Sequence, residues 1–149
     1  MNNFVSVAEN CALNKLRQTS RMVTKIYTEY LQPSGLTPTQ FSLMTALSLL
    51  GSATMKRLAD VMMMDRTTLT RNLKPLERDG LIKTFPGQDR RLKNIALTDN
   101  GRNALDEAFP LWEKAQTHLA SILGTEQWET LHTSLNAATK VMQKKISVQ

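Results

Sequence analysis

Apolar residues recur along this chain at two different periods, and the change of period marks out its elements. Between residues 6 and 31, Leu13, Leu16, Val23, Tyr27 and Tyr30 fall at steps of three, four or their multiples, the spacing of one helix face. Ser6 and Glu9 stand where a capping box would open that helix, and Pro33-Ser34-Gly35 closes it. A second helix is predicted over 39–49, between Pro38 and Gly51. Its apolar positions Phe41, Leu43, Met44, Leu47 and Leu50 surround much of the axis, so it should be buried. Two shorter helices follow at 55–62 and 66–78. Thr54 and Asp65 stand at their N-caps, and Gly80 stands where a left-handed residue ends the second. Leu58 and Val61 should face inward from the first, and Leu69, Leu73 and Leu76 from the second.

The pattern then changes to two short strands, 81–85 and 94–97, around a polar, basic loop at 86–93. From Thr98 the helical period returns in two stripes: Leu105, Phe109, Trp112, Leu119 and Leu123, then Trp128, Leu131, Leu135, Ala138 and Met142. Gly124-Thr125-Glu126 separates them, and Pro110 should kink the first of the two helices or force a local break in it. The expected fold class is mainly α with a small β hairpin, and no internal repeat is visible.

Charge sharpens this outline. Residues 53–98 hold ten Lys or Arg against five acids, a net of +5 out of +6 for the whole chain. A basic excess confined to one compact module is the footprint of a protein that neutralises DNA phosphates. Other classes recede: 41% hydrophobic and 21% charged residues are ordinary for a folded domain. No apolar run reaches membrane-spanning length, and the N-terminus lacks a secretory pattern, so the cytoplasm is the default compartment and no membrane partner is expected. The single cysteine cannot close an internal disulfide, and His118 and His132 stand without a second ligand, so no metal or cofactor is expected. Met62-Met63-Met64 is a soft-donor run with no Cys or His beside it, and it reads as flexible packing beneath the following helix. With no nucleophile–base pair, Gly-rich phosphate loop or acid cluster, an enzyme is the weakest reading.

The paired short helices make a helix-turn-helix, in which the second helix enters the major groove while the first braces it across the backbone. Leucines take the inward positions of the second helix. Arg66, Thr67, Thr68, Thr70, Arg71 and Lys74 are thereby left for base edges and nearby phosphates. The hairpin loop carries Arg90, Arg91 and Lys93, suited to an adjacent minor groove, while Asp89 is expected to pair with an arginine and hold the loop's shape.

Several runs carry a resemblance: Leu-Thr-Pro-Thr-Gln-Phe at 36–41, Leu58-Ala59, Asp-Arg-Thr-Thr-Leu-Thr-Arg at 65–71 and Leu-Lys-Pro-Leu-Glu-Arg-Asp-Gly-Leu at 73–81. To these is added Asp-Arg-Arg-Leu-Lys-Asn-Ile-Ala-Leu-Thr at 89–98, followed by Gly101. Over about residues 8–146 the chain resembles the MarR family of winged helix-turn-helix transcription regulators. The resemblance implies an N-terminal dimerisation helix within 1–35, a DNA-binding lobe at 36–98 and C-terminal dimerisation helices at 99–149. It implies a homodimer on a palindromic duplex operator, acting as a repressor. The apolar stripes of the terminal helices, with Trp112 and Trp128, are more than so small a lobe could bury, which agrees. The resemblance also implies release by a small ligand or by cysteine oxidation. Arg17, Arg21, Tyr27 and His118 are the candidates for a ligand cleft. Cys11, expected in the first turns of the N-terminal helix with Lys15 one turn on, is the redox candidate, and the organic-hydroperoxide regulators of the family carry a cysteine in that helix. The alternative is a protein-interaction adaptor on the same fold, against which the clustered basic residues argue.

Overall fold

The computed structural model describes residues 3–146. The chain runs α1 (Asn3–Asn10), α2 (Ala12–Leu31), a 3-10 turn (Gln32–Ser34) and α3 (Pro38–Leu50). Then come β1 (Ala53–Thr54), α4 (Met55–Met62), α5 (Arg66–Arg78), β2 (Ile82–Pro86), β3 (Lys93–Leu97), α6 (Asp99–Leu123) and α7 (Thr125–Ile146).

α3 is the hub of the lobe. Thr37 and Gln40 form a reciprocal capping box at its start, with Pro38 in the first turn where its missing N–H is not needed. Phe41, Leu43, Met44, Ala46 and Leu47 are all buried, so α3 is wrapped as its all-round apolar pattern requires. Leu31, Leu58, Leu69 and Leu76 join them in the fully buried core, bringing α2, α4 and α5 onto the hub. Thr54 and Asp65 cap α4 and α5 from their side-chain oxygens, and Gly80 beyond α5 takes φ +71°, as expected.

The structure departs from the sequence reading at five places. The hairpin is one edge of a three-stranded antiparallel sheet of order β1-β3-β2, with Ala53 opposite Ile95 and Thr54 opposite Asn94. The long N-terminal helix is two helices, because Cys11 adopts an extended ψ of 108° and stands as the N-cap of α2. Ser6 therefore lies inside α1, where its hydroxyl accepts from Asn10, and opens no capping box. Val61 is exposed rather than inward, since α4 ends one residue later in a left-handed cap at Met63. α6 is not broken at Pro110; Pro110 and Asp106 are both exposed, so the carbonyl that loses its N–H partner lies on the solvent side.

One backbone junction ties the sheet to α6. The Thr98 N–H donates to the Leu81 carbonyl at 3.0 Å and its hydroxyl to the Gly80 carbonyl at 2.6 Å. The same hydroxyl oxygen accepts from the Gly101 N–H at 3.0 Å as the N-cap of α6.

Candidate nucleic-acid interface

α5 is presented by its cap. One oxygen of Asp65 accepts from the Thr68 backbone N–H at 2.8 Å and the other from the Thr68 hydroxyl at 2.7 Å. These two bonds hold the Asp65 carboxyl below the usual carboxylate range. They also commit the Thr68 hydroxyl to the cap, which separates it from the other expected contacts. Arg66, Thr67, Thr70, Arg71 and Lys74 line one continuous outward face with Pro75 and Arg78. Thr70 donates its hydroxyl back to the Arg66 carbonyl at 2.8 Å, leaving its methyl and a lone pair outward. Arg78, absent from the expected set, extends the face at the helix end, where its guanidinium makes two bonds to Asp79. Pro75, whose ring removes a donor to the Arg71 carbonyl, lies within this face rather than beneath it.

The wing loop stands beside this face. Asp89 accepts from the Arg91 backbone N–H at 3.0 Å, so its carboxylate shapes the loop through the main chain and not through an arginine head group as expected. The Leu92 N–H closes onto the Asp89 carbonyl and the Gly87 N–H onto the Leu92 carbonyl, at 2.9 and 2.8 Å. Arg90 is exposed on the loop. Arg91 and Lys93 turn toward α5, where they line a cleft of about 580 Å³ with Lys56, Arg66, Lys74 and Glu77. Lys56, like Arg78, is absent from the expected set; its place at the start of α4, after a cap against the sheet, carries it to this cleft. Glu77 is the acid in the cleft and accepts from the Thr84 hydroxyl at 3.0 Å, bracing β2 against α5.

The four residues expected in one ligand cleft are not brought together. Tyr27 lines an apolar pocket of about 720 Å³ between α2, α6 and α7, walled by Leu16, Val23, Leu119, Trp128 and Leu135. Its hydroxyl donates to Gln116 on α6, and burial raises its pKa. His118 instead packs against Tyr30, ring centroids 5.6 Å apart, over a separate shallow groove. Arg17 and Arg21 are exposed, lying about 80° and 120° round the helix from Tyr27. Cys11 is a half-exposed free thiol at the α1–α2 break. Among the described residues no group of three or more His, Cys, Asp or Glu is placed to hold a metal, and no helix is long and apolar enough to cross a membrane.

A helix-turn-helix with a basic outward face, a hairpin wing beside it and long flanking helices defines a winged helix-turn-helix regulator. The sequence model of the MarR family matches residues 36–93. The HTH-type transcriptional regulator YwaE of Bacillus subtilis is 28% identical over 125 residues, covering 83% of this chain and 73% of its own. YwoH, another such regulator of Bacillus subtilis, is 30% identical over 95 residues, covering 64% of this chain and 69% of its own. The transcriptional regulator MosR of M. tuberculosis, solved in complex with DNA, superposes with a TM-score of 0.80 at 37% identity, over 91% of this chain and 98% of its own. The chain belongs to the MarR family, and the relatives it matches are transcriptional regulators, not enzymes.

Proposed function

We propose that the protein is a homodimeric, cytoplasmic repressor that binds a palindromic duplex operator and is released by a small effector. The observation that carries this reading is the outward face of α5, where Arg66, Thr67, Thr70, Arg71 and Lys74 are exposed together beside Arg90, Arg91 and Lys93 of the wing. α5 supplies arginines for guanine edges and threonine methyls for thymine, while the wing supplies charge to the adjacent minor groove. The DNA-bound MosR structure supports the same use of the lobe.

The dimer reading rests on unburied apolar surface. None of the described residues of α1 or α7 is buried. Phe4, Val7, Leu13, Leu16, Met22, Ile122 and Val141 stand 54–80% exposed, an apolar surface that a second copy would cover. Two lobes related by a two-fold axis would then address half-sites about 10 bp apart, or a multiple of that. The terminal helices are thus dimerisation helices and residues 36–98 the DNA-binding lobe.

For the effector, the pocket between α2, α6 and α7 suits a flat aromatic molecule, with Trp128 in its wall and the Tyr27 hydroxyl as a polar anchor. Oxidation at Cys11 is a second input, favoured by the half-exposed thiol at the joint between two helices. The test is binding to genomic fragments across a salt series, then footprinting of whatever is retained. A protected palindrome lost in Arg71→Ala, with affinity falling steeply as salt rises, is the expected result. Sequence-blind binding that Arg71→Ala leaves intact would overturn the reading and favour the adaptor.

A further inference from the structure

The end of α7 returns to the helix-turn-helix at a point made of methionines. A groove there is lined by Ala59 and Asp60 of α4, Met63 and Met64 of the turn, and Met142 and Gln143 of α7. Met63 is the non-glycine residue with positive φ, at +50°, among the described residues, and it forms the left-handed cap that ends α4. That conformation turns its side chain outward, 59% exposed, while its neighbours Met62 and Met64 pack partly buried against the core. Its sulfur accepts from the Gln143 side-chain amide at 3.8 Å, across 80 residues of chain. Met142 beside it is 55% exposed. Two thioethers open to solvent therefore sit on the contact between the last helix and the turn that precedes Asp65, the cap of α5.

We propose that Met63, together with Met142, is an oxidation site that couples oxygen-atom donors to the setting of α5. The co-reactant is a two-electron oxidant such as hypochlorous acid. The thioether sulfur attacks the oxygen, an S–O bond forms as the O–Cl bond breaks, sulfur is oxidised by two electrons, and chloride and a proton leave. The product sulfoxide replaces a weak acceptor by a strong, bulkier and solvated dipole, in a groove lined also by Ala59, Asp60, Thr139, Met142 and Ile146. The added oxygen and its water shell need room that the 3.8 Å contact between the Met63 sulfur and the Gln143 amide does not leave, so the turn moves off α7 and the Asp65 cap moves with it. Within this groove exposure orders the reaction: Met63 and Met142 react before the half-buried Met62 and Met64, which follow only after the turn opens, while Met22, 71% exposed, lies apart on the α2 surface that a second copy would cover.

The consequence for DNA rests on the DNA-binding reading above; the place of oxygen addition does not. The test uses the full chain carrying Cys11→Ser, so that the thiol does not compete, treated with graded hypochlorous acid. Peptide mass spectrometry maps the added oxygen, and anisotropy measures binding to the footprinted operator. The expected result is one oxygen on each of Met63 and Met142 before Met62, Met64 or Met44. Operator affinity should fall about tenfold as these two fill, equivalent to about 1.4 kcal/mol, and return after treatment with methionine sulfoxide reductases. The Met63→Leu/Met142→Leu double variant should bind like the untreated parent and keep its affinity under the same oxidant dose. Oxygen appearing first on the half-buried methionines overturns the proposal, as does unchanged affinity with Met63 and Met142 fully oxidised, or equal loss in the double variant. If the untreated protein binds no DNA, the DNA reading fails by itself. The site is then judged by amide hydrogen exchange across residues 63–68, which must rise on oxidation for the proposal to stand.

Discussion

Replacing Gly101 by alanine tests the junction that holds the wing to the long helix. Gly101 is buried in the first turn of α6, directly against the backbone of Leu81. A Cβ built there falls inside the envelope of the Leu81 carbonyl oxygen, 2.9 Å from the carbonyl carbon and 3.4 Å from Cα. Carbon atoms rest about 3.5–4.0 Å apart, so the two backbones must part by roughly an ångström. Neither yields easily. The Leu81 N–H is bound to the Leu76 carbonyl at 2.9 Å and its carbonyl to the Thr98 N–H at 3.0 Å. Overpacking against side chains typically costs about 1–3 kcal/mol, and a backbone neighbour without rotamers puts this site at the top of that range. Alanine recovers about 1 kcal/mol of helix propensity over glycine, leaving a net loss of about 2 kcal/mol. For a chain of this size that is about 4–8 °C in Tm, measured at one fixed protein concentration because the midpoint of the proposed dimer would depend on it. Urea unfolding followed by circular dichroism should show a lower midpoint at unchanged slope. Asn103→Ala, exposed on the same helix, is the control and should be neutral or slightly stabilising. A Gly101→Ala protein as stable as the parent would refute the close-approach argument.

The interface gives a second contrast. Arg71→Ala should cost about 1–3 kcal/mol of operator binding and relax the sequence preference, whereas Arg91→Ala should weaken all sequences alike and reduce the salt slope by about one. Competition anisotropy at several salt concentrations separates the two, and identical behaviour would sink the division between reading helix and wing. A third prediction concerns acid. Asp65, Asp79 and Asp99 have folded pKa values lowered by hydrogen bonds from Thr68, Arg78 and Arg102. Their stabilisation is therefore complete above the unfolded value of about 3.9 and is lost as pH falls through the lower folded values. The urea midpoint should be insensitive to these groups between about pH 7 and 5 and drop below about pH 4. Asp65→Asn keeps a capping acceptor without the charge and should flatten part of that drop; an unaltered profile would count against Asp65. For the thiol, Cys11→Ser should abolish peroxide-induced release of operator DNA, and release that persists would assign the response elsewhere.

The elements best legible in the sequence are those with side-chain punctuation at both ends. α4 and α5 were bounded by Thr54, Asp65 and Gly80, and the structure places them at the expected residues. β1 escaped because two residues carry no alternation, and Ala53-Thr54 becomes a strand only through β3 beside it. The break at Cys11 has no glycine or proline to announce it, and Ser6 and Glu9 imitate a start that α1 makes earlier. At the interface, residue identity told which side chains face outward on α5, but not that Thr68 is spent on the cap or that Lys56 joins the cleft. The ligand cleft was the least legible part. Tyr27 and His118 are both on faces that meet other helices, yet which helix each face meets depends on the crossing of α2 with α6 and α7.

That crossing matters because the DNA-binding lobe is rigidly joined to α6. Thr98 bonds to Gly80, Leu81 and Gly101 at once, so the end of α5, the start of β2 and the first turn of α6 move as one body. A molecule wedged between α2, α6 and α7 would therefore not reshape the lobe; it would tilt the helix that carries it. With 25 residues, α6 is about 37 Å long, so a tilt of about 5° about its far end carries the lobe about 3 Å. That is close to one base-pair step of about 3.4 Å along the duplex. Two lobes displaced in opposite senses would miss half-sites spaced by one helical turn, although each recognition face stayed intact. An effector acting in this way should weaken a full palindrome far more than an isolated half-site. Direct blockage of α5 would weaken both equally, so comparing the two DNAs distinguishes a change of spacing from a change of surface.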